Sequence, residues 1–189
     1  MAKLRGRVLW AYRAFLLERG LLDAVLTRLS DRNRTLLASD QLPGWVDVDC
    51  FNEAIAALFD LGGMRVVREL GAYIADLLVD TRQEPDMERA LERCAALVSE
   101  LTSGFQLHFE PLRRVAGRIY IRSVAARQSE LAAEAWGAAV QRVLQRNCQR
   151  AWTLTEDVFE DRGGSTLSIL CDWKRAEVSA PASQRIFAA

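Results

Sequence analysis

Histidine is almost absent from this sequence: His108 is the only one in 189 residues. That scarcity removes most routes to a general-base dyad or a histidine-ligated metal. Lysine is nearly as rare. Only Lys3 and Lys174 carry an ammonium, so the other basic side chains are arginine, as a GC-rich coding sequence would give. Neither sign of charge is in excess, with 25 basic and 25 acidic residues. A nucleic-acid binder normally carries a basic surplus to neutralise phosphates, so that class is disfavoured. No apolar run approaches the roughly 18 residues of a membrane span. The charged start, Met1-Ala-Lys-Leu-Arg-Gly-Arg-Val8, leads into neither an apolar signal core nor a small-residue cleavage site. Cys50, Cys94, Cys148 and Cys171 lie far apart and form no Cys-x-x-Cys pair. Such spacing fits reduced, mostly buried thiols rather than a disulfide framework or a zinc site. The expectation is a cytoplasmic protein with no membrane span.

Catalytic signatures are missing as well. There is no Ser-His-Asp order, nucleophile elbow, His-Glu-x-x-His helix or phosphate-binding glycine loop. Gly62-Gly63 and Gly163-Gly164 lack the flanking residues of a P-loop and read as turns. With one histidine and no carboxylate pair at telling spacing, the chain reads as a non-enzyme.

What is present is periodicity. Half the residues are hydrophobic and about a quarter charged, enough for one domain with a proper core. The apolar stripe Leu4, Val8, Tyr12 and Phe15 predicts a helix over 4–17, ended by Gly20. A short helix over 21–29 follows, and the polar run from Ser30 to Arg34 reads as a loop. After the Leu42-Pro43-Gly44-Trp45 turn, Asp47 or Asp49 can cap a helix with the stripe Phe51, Ile55, Leu58 and Phe59. Gly62-Gly63 breaks it. A further helix over 64–79 carries Val67, Leu70, Ile74, Leu77 and Leu78. Pro85 opens another, whose Met87, Leu91, Cys94, Val98 and Leu101 alternate by fours and threes up to Gly104.

The second half changes period. Phe105, Leu107 and Phe109 alternate with Gln106 and His108, which predicts a strand, and 111–117 reads as a basic turn. Ile119 and Ile121 alternate with Arg118, Tyr120 and Arg122, predicting a strand over 118–124. A helix over about 127–146 places Leu131, Trp136, Val140, Val143 and Leu144 on one stripe. A hairpin follows, turning at Asp161-Arg-Gly-Gly164, with Leu167, Ile169, Cys171 and Trp173 facing one way. Trp10, Trp45 and Trp136 read as core. The fold class is α+β: a helical N-terminal half, then a small antiparallel sheet crossed by a long helix, in one domain over 1–174. Residues 175–189 turn to Ala, Ser, Pro and charges and read as a flexible C-terminal tail, with Ile186 and Phe187 near its end.

This order resembles the bacterial haem nitric-oxide/oxygen-binding (H-NOX) domain and its haem-free relatives. Those include the Myxococcales-type domain of unknown function, the 4-vinyl-reductase domain and the TRAPP-subunit fold. The likeness is carried by Gly6-Arg-Val-Leu-Trp-Ala-Tyr-Arg-Ala-Phe15 with Leu22-Asp-Ala-Val25, and by Trp45-Val-Asp-Val-Asp-Cys-Phe51 with Arg68-Glu-Leu-Gly-Ala-Tyr73. Most of all it rests on Ile121-Arg-Ser123, the helix after it, Thr153-Leu-Thr-Glu-Asp-Val-Phe159 and the second hairpin arm. The resemblance implies an iron-ligating histidine on a helix and a Tyr-x-Ser-x-Arg motif holding the haem propionates. Neither falls into place. Aligning Met87-Glu88 with the family helix puts Cys94 where the histidine is expected, and His108 lies downstream. Tyr120 and Ser123 stand three apart instead of two, the arginine position falls on Ala125, and Arg122 and Arg127 are out of register.

The resemblance therefore implies the scaffold more than the chemistry: a non-enzymatic sensor or adaptor with no cofactor. Its ligand would sit between helices and sheet, near Cys94, Tyr120 and Trp136. A signalling partner protein, a homodimer and a small hydrophobic ligand are the associations it implies. The alternative is an atypical haem-binding NO/O2 sensor with Cys94 as thiolate ligand, set against the plainer reading of Cys94 as a small core residue. His108, with no identifiable partner, reads as a surface strand residue. Arg118, Arg122 and Ser123, near Arg113, Arg114 and Arg127, are candidates for contact with an anion or an acidic partner. The plainer reading is a solvated sheet face whose charges discourage edge pairing.

Overall fold

The computed structural model describes residues 2–41, 43–79, 87–123, 129–148, 150–161 and 164–174. The first half is helical: α1 (Gly6–Glu18), α2 (Leu22–Leu26), α3 (Asp31–Ala38), α4 (Val48–Leu78) and α5 (Met87–Leu101). Three very short strands, β1 (Lys3–Arg5), β2 (Trp45–Asp47) and β3 (Thr102–Ser103), tie its ends together in the order β2-β1-β3. The second half is an antiparallel sheet of β4 (Phe105–Arg113), β5 (Ala116–Ser123), β6 (Arg150–Asp161) and β7 (Gly164–Lys174), in the order β4-β5-β7-β6. Helix α6 (Glu130–Asn147) joins β5 to β6. The α+β order of helices first and crossed sheet second is that expected.

The predicted stripes fill the interior. Leu4, Val8, Tyr12 and Phe15 are buried, as are Ile55, Leu58, Val67 and Leu70 of α4 and Met87, Leu91, Val98 and Leu101 of α5. The core divides into two clusters. One lies among α1–α4, with Ala132 and Ala135 of α6 reaching into it. The other lies between α5, α6 and the sheet, where Ile119, Ile121, Leu167, Ile169, Cys171 and Trp173 point inward. Tyr12 anchors the first cluster by donating its phenol to Ala54 O at 2.7 Å, wholly out of solvent.

Helix α6 begins where a serine can cap it. Ser129 Oγ accepts the Ala132 backbone N–H at 3.1 Å. The expected start at Arg127 lies outside the described residues, as do Pro85, Arg162 and Gly163 of the 161–164 turn, and the tail at 175–189.

Several expectations are corrected. The run from Ser30 to Arg34 is the start of α3, not a loop. The carboxylate of Glu53, on α4, accepts from Ser30 N and Ser30 Oγ at the helix N-terminus and from Asn33. Arg34 turns back to cap the end of the previous helix, donating to Leu26 O and Leu29 O. α2 accordingly stops at Leu26, shorter than the 21–29 expected. Strand β4 continues to Arg113 and β5 already starts at Ala116, leaving only Arg114 and Val115 of the supposed basic turn to reverse the chain. Trp10 and Trp45 are surface residues, 51% and 37% exposed. Trp10 falls on the opposite side of α1 from Leu9, Tyr12 and Leu16, and Trp45 lies beneath the Arg5 guanidinium, 4.1 Å from the ring centre. Phe59 and Leu77 are likewise more exposed than their stripes imply.

The Gly62-Gly63 break is a kink within α4. Gly63 has φ +65° and ψ −168°, a region open essentially to glycine alone. Gly63→Ala is expected to cost about 1–3 kcal/mol in chemical denaturation, although nothing lies within 4 Å of an added Cβ. The loss would come from the backbone alone.

Candidate functional site

The interior cluster between helices and sheet is not filled. A cavity of about 110 Å³ runs between α4, α5, α6 and the inner faces of β4 and β5. Its wall is apolar almost throughout. α4 supplies Phe51, Ile74 and Leu78, α5 supplies Leu91, Leu97 and Val98, and α6 supplies Trp136, Ala139 and Val143. Phe105, Leu107 and Ile119 close the sheet side, because alternation turns these strand positions inward. The polar side chains in the wall are Asn52, Cys94 and Thr102, and Thr102 is already spent, donating to Val98 O at 2.7 Å.

Two of the residues singled out from sequence meet here. Cys94 and Trp136 both line the cavity, from α5 and α6. Tyr120 does not join them. It lies on the outer face of the sheet, stacked on His108 with ring centres 6.4 Å apart and donating to Glu110 Oε2 at 3.0 Å. Arg118 and Arg122 share that outer face, as alternation requires. Ser123 is on the inner face, 1% exposed and paired with Phe105, so it does not belong with the two arginines. His108, opposite Tyr120 in the strand register, is exposed on the outer surface and away from the cavity.

Sequence reasoning missed a charged group at the cavity's edge. Asp76 of α4 accepts from Arg142 Nε at 2.8 and 3.1 Å and from Arg146 Nη2, both on α6. Arg146 Nη1 also donates to Val79 O at 2.6 Å, and Val79 lines the cavity. Burial pushes the Asp76 carboxyl up, but the hydrogen bonds and charges of Arg142 and Arg146 outweigh it and hold it below its usual range. The i, i+4 spacing of Arg142 and Arg146 was the available signal, but nothing local linked it to Asp76.

Cys94 is a protonated thiol. Burial pushes it up to about 11, against a smaller downward pull from the Arg146 guanidinium. Because the thiolate is the nucleophile, iodoacetamide at pH 7.5 should label Cys94 on the order of a hundredfold more slowly in the native protein than in urea. Mass spectrometry of the labelled peptides reads this out directly.

No protein-family model matches the sequence, and no curated protein matches it. The architecture does match solved structures. An oxygen-binding H-NOX domain related to soluble guanylate cyclases, in its oxygen complex, superposes with a TM-score of 0.63 at 13% identity, covering 91% of this chain and 96% of that one. This chain has the H-NOX fold. A structure solved to probe haem distortion in the H-NOX family gives 0.65 at 12% identity over 91% and 96% of the two chains. Another, concerned with the molecular mechanism of H-NOX activation, gives 0.61 at 12% identity over 91% and 97%. At this identity the likeness covers the fold alone.

The described cavity residues do not fit the haem that the fold implies. The chain's one histidine is on the far side of the sheet, and the arginines nearest the cavity, Arg142 and Arg146, stand at its edge already bonded to Asp76. The one sulfur among the described wall residues is the thiol of Cys94, so a single side chain there could ligate iron. Among the described residues no cluster of His, Cys, Asp and Glu is placed to hold a metal ion.

Proposed function

We propose that this chain is a haem-free, non-enzymatic sensor or adaptor that takes a small apolar molecule between its helical half and its sheet. The observation that carries this reading is the cavity: open space with an apolar wall whose described residues offer no histidine to a haem iron. An enzyme would need titratable groups converging on that space, and Asn52, Cys94 and Thr102 are poor material for one.

Occupancy would be relayed by a small shift of the helical half against the sheet. Helix α6 is suited to pass it on, since it packs on α4 along one side and on β6 along another, where Thr153 Oγ1 donates to Gly137 O at 3.1 Å. A cytoplasmic signalling partner, or a second copy of the chain, would read the shift.

The test is calorimetric titration with 1-decanol. One molecule per chain, with the negative heat-capacity change of apolar burial, is the expected result; no saturable binding would sink the reading. One observation favours a second reading. Cys94, in the wall, is the side chain that an atypical haem-binding gas sensor would use as its iron ligand.

A further inference from the structure

The cavity has a charged edge that an uncharged ligand would not use. Arg146 donates to the carbonyl of Val79, a wall residue, and its guanidinium acts on the thiol of Cys94, another wall residue. Arg142 lies one turn before it on α6, and Val143, between them in sequence, is in the wall. The two guanidinium groups face one carboxylate, Asp76, so among the described residues of this clasp one positive charge is left over. Both arginines keep part of their surface in solvent, with side chains 45% and 26% exposed, so an incoming group can reach them. A guanidinium carries five N–H donors in a planar fork suited to carboxylates and phosphates. The bonds to Val79 O and Asp76 account for two of those on Arg146.

Resting on the cavity reading above, we infer that the ligand is an anionic amphiphile, whose apolar chain enters the cavity and whose carboxylate or other acidic head is held by Arg146 and Arg142. The head competes with Asp76 for the two arginines. That competition sets the affinity and couples the ligand to the α4–α6 contact, because the Asp76 bonds tie α4 to α6 at this end. Binding would loosen that clasp, which gives the proposed relay a specific first step.

The experiment compares decanoate with 1-decanol at pH 7.5, both below their micelle or solubility limits, by calorimetry. A charge-assisted contact at a partly exposed arginine pair should make decanoate about tenfold the tighter ligand. The acid-to-alcohol ratio is taken within each variant, so a general loss of stability cancels. Arg146→Gln and Arg142→Gln should each bring the ratio towards one, and Asp76→Asn, which removes the competitor, should raise it. Raised salt should lower the ratio in the unaltered chain. Equal affinity for acid and alcohol would overturn the inference and leave the cavity reading standing, as would a ratio untouched by all three substitutions. Binding of neither molecule would overturn both.

Discussion

Ala139→Phe is expected to abolish ligand binding while leaving the fold as stable as before. Ala139 is on α6, one turn from Trp136 and from Val143, and all three line the cavity. A phenyl ring added there enters space that is already open. In a filled core the same enlargement would force neighbours off their rotamers and cost about 1–3 kcal/mol. Here, burying the ring is worth about 1.5–3 kcal/mol, set against the roughly 0.5 kcal/mol of helix propensity lost in replacing alanine. The melting temperature should therefore hold or rise. Affinity for decanol or decanoate should fall by at least about tenfold, some 1.4 kcal/mol. A folded variant that binds as before would show that the space is not the binding site, and one that unfolds would show that the space is not open to the ring.

Gly71→Ala should do the reverse, damaging the fold through one methyl group. Inside a helix this substitution ordinarily stabilises by about 1 kcal/mol, because alanine has the better propensity. Gly71, however, is where α4 meets α6. A Cβ there would overlap Ala135 O and sit 2.8 Å from Ala135 C. These are backbone atoms in the middle of a helix, and they cannot swing away. The two helices must separate, opening the wall of the cavity that Gly71 and Ala135 both line. Overpacking of this severity is at the upper end of the usual range, so the net loss should be about 2–3 kcal/mol. In a chain of this size that lowers the melting temperature by roughly 5–10 °C. Gly117→Ala makes a useful control. Its Cβ would run into the Phe109 ring, which can turn aside, and its backbone contact, Glu110 O at 3.0 Å, is looser than the one at Gly71, so the loss should be smaller.

How much of this was legible beforehand depended on whether the signal was local. The inward residues of β7 and the stripe of α5 were readable because alternation and 3.6-residue spacing are written into consecutive positions. The start of α3 was not, since the carboxylate that receives its N-terminus belongs to Glu53, more than twenty residues away. Strands β1, β2 and β3, two or three residues each, are too short to show any period. Their pairing follows from where α1, α4 and α5 begin and end. The exposure of Trp10 and Trp45 shows the limit of composition: an aromatic ring is core only if its position on the helix or strand faces inward.

The candidate site divides the same way. Cys94 and Trp136 sit on helical stripes that face the sheet, and both stand in the cavity wall. Tyr120 was drawn in by resemblance to a haem-binding motif, against its own strand period. Alternation groups it with Arg118 and Arg122 and separates it from Ile119, Ile121 and Ser123, and that is how the structure places them. The Asp76 clasp could not be read from sequence at all. Nothing local connects a carboxylate on one helix with arginines on another, 66 and 70 residues later.

The haem-free reading is tested most directly by the visible spectrum of the purified protein during titration with haemin. No saturable Soret band at one haem per chain is expected, in wild type and Cys94→Ala alike. A sharp, stoichiometric band that disappears in Cys94→Ala would contradict that reading and make this chain a thiolate-ligated haem protein.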